Sequence, residues 1–320
     1  MDNGPLYAFR AARTIPVTPL SFIPMSPRSV NLALLFALSA IWGSSYMLIK
    51  LGLETVPPVT VAAVRITFGA LALLLVMQLR GHRLPIIGRG WIPFVIMAIF
   101  GSALPFSLIA WGETHITSSL TTILLGVVPV STMLLAHLFT QDERFTRAKV
   151  GGLVAGFIGL VVIIGPDALA GIRHGVVGQA AIVAAALCYA VSIVYARRMR
   201  HILPLVNSAC TMTAAAIIIM PFSLIMDRPW LLAPSITSMT ALAVLGVLGT
   251  GLAALIFFRL IAGAGATFTS MINYLIPLVG VTWGGLFLGE ELPLSALLGL
   301  ALILSGVALI NRPAKTPESD

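Results

Sequence analysis

Residues 57–79 read PPVTVAAVRITFGALALLLVMQL, twenty-three residues carrying a single charge, Arg65. A helix rises about 1.5 Å per residue, so this stretch can cross a hydrocarbon core of roughly 30 Å. Working outward, nine further apolar stretches of comparable length appear, at about 31–52, 92–112, 117–139, 148–165, 177–196, 204–226, 238–258, 266–287 and 293–311. The composition agrees: 58% of the residues are hydrophobic and 9% charged, and the mean hydropathy is +1.03. A soluble domain carries about 25% charged residues. The chain therefore reads as an all-α integral membrane protein of ten transmembrane helices. Its loops are too short to hold a soluble domain.

The net charge of +8 does not indicate nucleic acid. The basic residues are scattered between apolar stretches, without interleaved aromatics. Their distribution instead orients the chain, because Lys and Arg accumulate in cytoplasmic loops. With the N-terminus inside, the inner segments hold fifteen of the nineteen basic residues, among them Arg80, Arg83, Arg89, Arg197, Arg198, Arg200 and Arg259. Lys50, Arg173 and Arg228 fall outside, and Arg65 lies within a span. The bias supports an even number of spans, with both termini in the cytoplasm. Residues 1–30 read as a disordered cytoplasmic extension, with Met25 as an alternative start to Met1, and 312–320 as a cytoplasmic tail. Compact loops and the lack of a transit peptide place the chain in a bacterial-type inner (plasma) membrane. Cys188 and Cys210 lie in apolar stretches without metal spacing and read as small core residues.

The two halves repeat, 31–165 against 177–311. Pro129 matches Pro277, Glu143 matches Glu291 and Gly151 matches Gly299, each 148 apart; Trp42 matches Tyr189 and Lys50 matches Arg197, each 147 apart. Each repeat has five spans, an odd number, so the second copy is inverted in the membrane. Inverted repeats are the common architecture of secondary transporters.

Trp42-Gly43-Ser44-Ser45, Ala63-Val64-Arg65, Pro129 followed by Asp142-Glu143, Tyr274-Leu275-Ile276-Pro277, Leu288-Gly289-Glu290-Glu291, Gly299 and Ser305-Gly306 together resemble the EamA domain. That is the ten-span branch of the drug/metabolite transporter superfamily. The resemblance covers roughly 31–311. It implies a secondary transporter of small organic metabolites, often an exporter of amino acids or related compounds.

Several residues are candidates for the transport site, and each has a structural alternative. Arg65 lies about 12 Å into its span at 1.5 Å per residue, too deep to reach either interface easily. An intramembrane charge faces a cavity or a partner. Its fork suits a substrate carboxylate; the alternative is a structural Arg held by carbonyls or a Glu. Trp42, Ser45 and Tyr46 follow helical spacing on span one, with Ser39 and Ile49, while Tyr189, Ser192 and Tyr195 sit at the related level of span six. They suit a cavity lining, or helix packing with Ser bonded to its own backbone. Asn273 and Tyr274 precede Pro277, whose counterpart is Pro129; these prolines are hinges or fixed kinks. Thr121, Thr122 and Thr269 lie nearby. Glu113 and His115 end span three and are candidates for proton coupling, or ordinary loop charges. Gly152-x-x-x-Gly156 and Gly280-x-x-x-Gly284 read as packing seams.

No Walker loop, His-Glu-x-x-His, paired intramembrane Asp or Gly-x-Ser-x-Gly is present, so neither ATP-driven pumping nor catalysis is expected. No cofactor or metal is called for. The partners expected are a small-molecule substrate and the lipid bilayer, with a proton as a candidate co-substrate and no nucleic acid. The small multidrug-resistance relatives bind cationic drugs with a mid-membrane Glu in span one; this chain has none. A sugar-phosphate or nucleotide-sugar carrier, a channel and an integral membrane enzyme are the alternatives.

Overall fold

The computed structural model describes residues 26–86, 88–116, 121, 124–140, 146–164, 175–276, 279 and 294–310. Pro277, Thr122, Gly280, Gly284 and the acidic pairs Asp142–Glu143 and Glu290–Glu291 lie outside the described residues. Secondary structure among the described residues is helical throughout. The helices are α1 (Pro27–Leu53), α2 (Pro58–Leu79), α3 (Arg89–Gly112), α4 (Val127–Phe139), α5 (Arg147–Ile164), α6 (Val176–Met199), α7 (Pro204–Met226), α8 (Ile236–Ala264), α9 (Ala266–Ser270) and α10 (Leu294–Ile310). Six of them, α1, α2, α3, α6, α7 and α8, are long and apolar enough to cross a membrane.

The ends of these helices follow from their first residues. Ser26 caps α1 by accepting the Ser29 N–H at 3.2 Å, and Pro27 takes the first helical position, where its missing N–H costs nothing. Pro57, ahead of α2, has no side chain able to cap. Asp227, at the end of α7, supplies the acceptor instead. Its Oδ2 receives the Thr60 N–H and the Thr60 hydroxyl, each at 2.8 Å. A carboxylate there meets both the orphan amides and the positive end of the helix dipole.

α2 shows how the bundle divides protein from lipid. Ala62, Ala63, Ile66, Ala70 and Leu73 are buried, while Leu71, Leu75 and Leu79, spaced four apart, are exposed. A helix apolar on every side belongs in a core or a membrane. Helices in lipid gain little from burying apolar surface against one another, so close packing of small residues holds them together. A Cβ built on Gly152 of α5 would lie 2.6 Å from the Gly306 carbonyl oxygen of α10, and one on Gly69 of α2 would lie 2.9 Å from the Gly246 carbonyl oxygen of α8. Gly156, read with Gly152 as one seam, also lies there, its backbone N 3.1 Å from a Cβ built on Gly306, and its own Cβ would meet the Tyr274 ring.

The packing has a two-fold character. α2 packs on α7 and α5 on α10, each helix on its counterpart in the other half. α1 packs on α8 while α3 packs on α6, and α2 on α8 while α7 packs on α3. Exchanging the halves maps this pattern onto itself. Each half also contains one π-helical segment, Ile99–Ala103 within α3 and Val247–Leu252 within α8. Their first residues are 148 apart, the offset of Pro129 and Pro277.

Two expected boundaries move. The stretch expected to end near 258 continues to Ala264, because apolar and small residues carry the helix on. Arg259 therefore sits on a helix, exposed at its surface, where its long stem can carry the charge toward the interface. The stretch at 266–287, expected to be continuous, is interrupted by a turn at Met271 before resuming over 272–276.

Candidate functional site

A cavity lies between the two halves, offering about 100 Å³ to the centres of water-sized molecules. A buried water needs on the order of 10–15 Å³ by the same measure, so the space suits a small metabolite. Trp42, Ser45, Tyr46, Arg65, Tyr189 and Asn273 all line it. Tyr274 does not. Its ring packs on Gly156 within the cluster shared with α5 and α10, and its buried hydroxyl has no partner among the described residues. It follows Asn273 directly, about 100° further round the helix, which turns its ring to Gly156 and away from the cavity.

Arg65 is 6% exposed. Its Nε donates to Thr250 Oγ1 at 3.1 Å, and its Cζ lies 4.0 Å from the centroid of the Phe106 ring, within cation–π range. A guanidinium has five N–H donors. Among the described residues no other acceptor is bonded to it, so the four N–H of its terminal nitrogens are left to the cavity. Arg65 is the one charged side chain on the cavity wall among the described residues.

The π segment of α8 holds both Arg65 and Trp42. A π turn widens the helix, so carbonyls no longer line up with the amide four residues on. The Thr250 hydroxyl donates to the Leu245 carbonyl at 3.2 Å, while its oxygen accepts from Arg65. The Gly249 carbonyl accepts the Trp42 Nε1–H at 3.1 Å. A Cβ on Gly249 would meet Ser45 Oγ at 2.8 Å, so glycine is what lets α1 come this close.

The remaining polar groups divide by what they have left to offer. Ser45 donates to the Ile41 carbonyl and Ser192 to the Tyr189 carbonyl, so both present acceptor lone pairs only. Asn273 Nδ2 donates to the Ser270 carbonyl at 3.1 Å, leaving its second N–H as a donor and Oδ1 as an acceptor. Ser39, expected to extend the α1 face, is fully buried and bonded to the Leu35 carbonyl, away from the cavity. Tyr195 is also off the wall, with Arg198 5.8 Å over its ring.

Glu113 and His115 lie beyond the cavity wall at the end of α3. Glu113 is half-buried, with both carboxylate oxygens shielded, and its charge reaches Arg65 and Tyr46. His115 is exposed and stacks on Trp111 with ring centroids 4.3 Å apart. Its Nδ1 lies within hydrogen-bond distance of Thr114 Oγ1 and the Trp111 carbonyl. Pro129 is buried in α4 and is not on the wall.

The sequence reading missed Ser102, Thr250, Thr211 and Met212. Yet Gly101-Ser102 and Gly249-Thr250 are 148 apart, the offset already found for Pro129 and Pro277. Searching every small or hydroxyl residue at that offset would have found Ser102 and Thr250, though not Thr211 and Met212.

Comparison with known proteins now adds to this geometry. A family model described as the EamA-like transporter family matches residues 30–165 and 176–312. The chain is 24% identical over 274 residues to the "Uncharacterized transporter YoaV" of Bacillus subtilis (strain 168), covering 85% of this chain and 94% of that protein. It is 27% identical over 278 residues to the "Uncharacterized inner membrane transporter YedA" of Escherichia coli (strain K12), covering 87% and 89%. It is also 27% identical over 274 residues to the "Probable terminal-alkyne amino-acid exporter" of Streptantibioticus cattleyicolor, covering 85% and 90%. A solved crystal structure superposes with a TM-score of 0.71 over 88% of this chain and 96% of that one, at 19% identity, which shows a shared fold.

Proposed function

The chain belongs to the EamA-like transporter family, and from that premise we propose that it is a secondary transporter of small organic metabolites, such as amino acids or related compounds, working by alternating access. In this reading ten spans form two inverted five-helix repeats, both termini are cytoplasmic, and net movement is export across the inner membrane. The carrying observation is Arg65: a buried guanidinium, held by one of its five donors, on the wall of a cavity between the repeats. It serves as the anchor for an anionic group of the substrate. Trp42 and Tyr189 supply aromatic packing, and Ser45, Tyr46 and Asn273 supply hydrogen bonds. The relative named as an amino-acid exporter supports this substrate class. Among the described residues Arg65 is the one cation on the wall, which favours it over a nucleotide-sugar carrier, whose substrate has several negative charges to neutralise.

The test is counterflow in proteoliposomes against labelled amino acids, nucleosides, organic acids and cationic drugs, with Arg65→Ala alongside. Saturable exchange of carboxylate-bearing compounds, reduced at least tenfold in Arg65→Ala, is expected. Continuous voltage-dependent current would mark a channel, and covalent turnover of a substrate would mark an enzyme. Either would overturn the reading.

A second reading concerns coupling. Glu113 is half-buried at the end of α3 with both carboxylate oxygens shielded from solvent, which supports a carboxylate that exchanges a proton as the site fills. Glu113→Gln is then expected to keep counterflow but lose accumulation driven by a pH gradient. Undiminished gradient-driven accumulation would remove Glu113 from that role.

A further inference from the structure

The cavity wall is built from residues that correspond between the halves, at an offset of 147 for the first two spans of each repeat and 148 for the next two. Two contacts display the correspondence. Arg65 of α2 donates to Thr250 in the π segment of α8. Its counterpart 147 residues on, Met212 of α7, has its sulfur 4.0 Å from Ser102 in the π segment of α3. Ser102 is in turn the counterpart of Thr250. Ser45 faces Gly249, and its counterpart Ser192 faces Gly101, again a related pair. The site is therefore two half-sites of common design.

Against that background the chemistry of three pairs is split. Tyr46 corresponds to Ile193, Arg65 to Met212 and Asn273 to Leu125, and all six line the cavity. In each pair one member is polar and the other apolar. Ile193, Met212 and Leu125 belong to a single hydrophobic cluster, against which the Tyr46 ring also packs, while Arg65 carries the charge of the wall and bonds Thr250. A two-fold-related cavity places corresponding residues on opposite sides of its axis.

We propose that these broken pairs give the cavity two chemically opposite poles, so that it takes an amphipathic anion oriented with its acid group on Arg65 and its apolar body against Met212, Ile193 and Leu125. The proposal rests on the reading of Arg65 as an anion anchor. It assigns Met212 as the specificity-determining residue of the apolar pole. A ligand charged at both ends leaves its second charge against side chains with no donor to offer, and is rejected.

The full-length protein, purified in detergent, is titrated with propionate, butyrate, pentanoate and hexanoate, and with succinate, glutarate and adipate. Binding is read from thermal stabilisation against concentration. Each added methylene of the monocarboxylates is expected to tighten binding about two- to fourfold. Adipate is expected to bind at least about tenfold more weakly than hexanoate. Met212→Arg should invert that order. Met212→Gln, close in size and expected to fold where a new buried charge does not, should flatten the chain-length dependence while propionate still binds. Arg65→Met should abolish carboxylate binding, and the exchange variant Arg65→Met/Met212→Arg should restore it.

Equal binding of all chain lengths by the unaltered protein overturns the two-pole assignment, as does an unchanged chain-length dependence in Met212→Gln. In both cases loss of binding in Arg65→Met leaves the anion anchor standing. Undiminished carboxylate binding by Arg65→Met defeats the anchor and the poles together. No stabilisation of the unaltered protein by any member of the series also overturns the proposal, leaving the carrier reading to counterflow.

Discussion

Thr250 is the residue on which the geometry of Arg65 turns, because it bonds the one guanidinium donor that is engaged and ties it to the backbone of α8. A hydrogen bond to a charged group is worth about 1.5–3 kcal/mol, on the order of a tenfold change or more in affinity. Thr250→Val keeps the shape and removes the acceptor. It is expected to raise the counterflow KM about tenfold, with Thr250→Ser returning it to within about twofold. An unchanged KM in Thr250→Val would detach Thr250 from the site. Arg65→Lys is expected to fail, since an ammonium offers neither the fork nor the flat face that lies over Phe106. At this scale the sequence was informative where a residue was chemically anomalous. One charge in an apolar run marks Arg65. Tyr274 misled, because an aromatic hydroxyl next to Asn273 and Pro277 suits a site as well as a packed helix. Only the rotation of a five-residue segment decides that it meets Gly156.

Among the elements, α5 and α10 make the plainest prediction. Gly152 and Gly306 meet backbone to backbone, and an added side chain must drive the helices apart. Gly306→Leu is expected to destabilise the protein by about 1–3 kcal/mol, seen as a lower unfolding temperature in detergent. Gly151→Leu, one residue from Gly152 but with open space where its Cβ would sit, is expected to change it little. Equal effects would contradict the seam. The apolar stretches predicted the long helices well, because length and composition alone decide whether a segment can span a bilayer. They did not predict the π segments at Ile99–Ala103 and Val247–Leu252. One extra residue in a turn leaves hydropathy unchanged and alters only which backbone groups are paired. Both segments line the cavity, at places where glycine allows a serine of the neighbouring helix to approach. Widened turns often mark functional sites.

For the whole molecule, duplication is the organising fact. The offset of 147–148 residues, read first from Pro129, Glu143 and Gly151 and from Trp42, reappears as a contact pattern that survives exchange of the halves. Sequence could show that the halves match. It could not show that residues of both halves would line one cavity, because that depends on how separated helices cross. Orientation is open to direct labelling: a cysteine at Arg83 is expected to react from the cytoplasmic side and one at Arg228 from the outer side, and the reverse would contradict the topology proposed above.

The central claim is that the cavity is the transport site and opens to each side in turn. The most direct test replaces Cys188 and Cys210 with Ala, places a single cysteine at Ser45 on the cavity wall, and applies a membrane-impermeant thiol reagent to right-side-out and inside-out vesicles. The account predicts labelling from both faces, slowed from both by a transported compound identified in the counterflow panel. Labelling from one face only, or labelling that saturating substrate leaves unchanged, would contradict it.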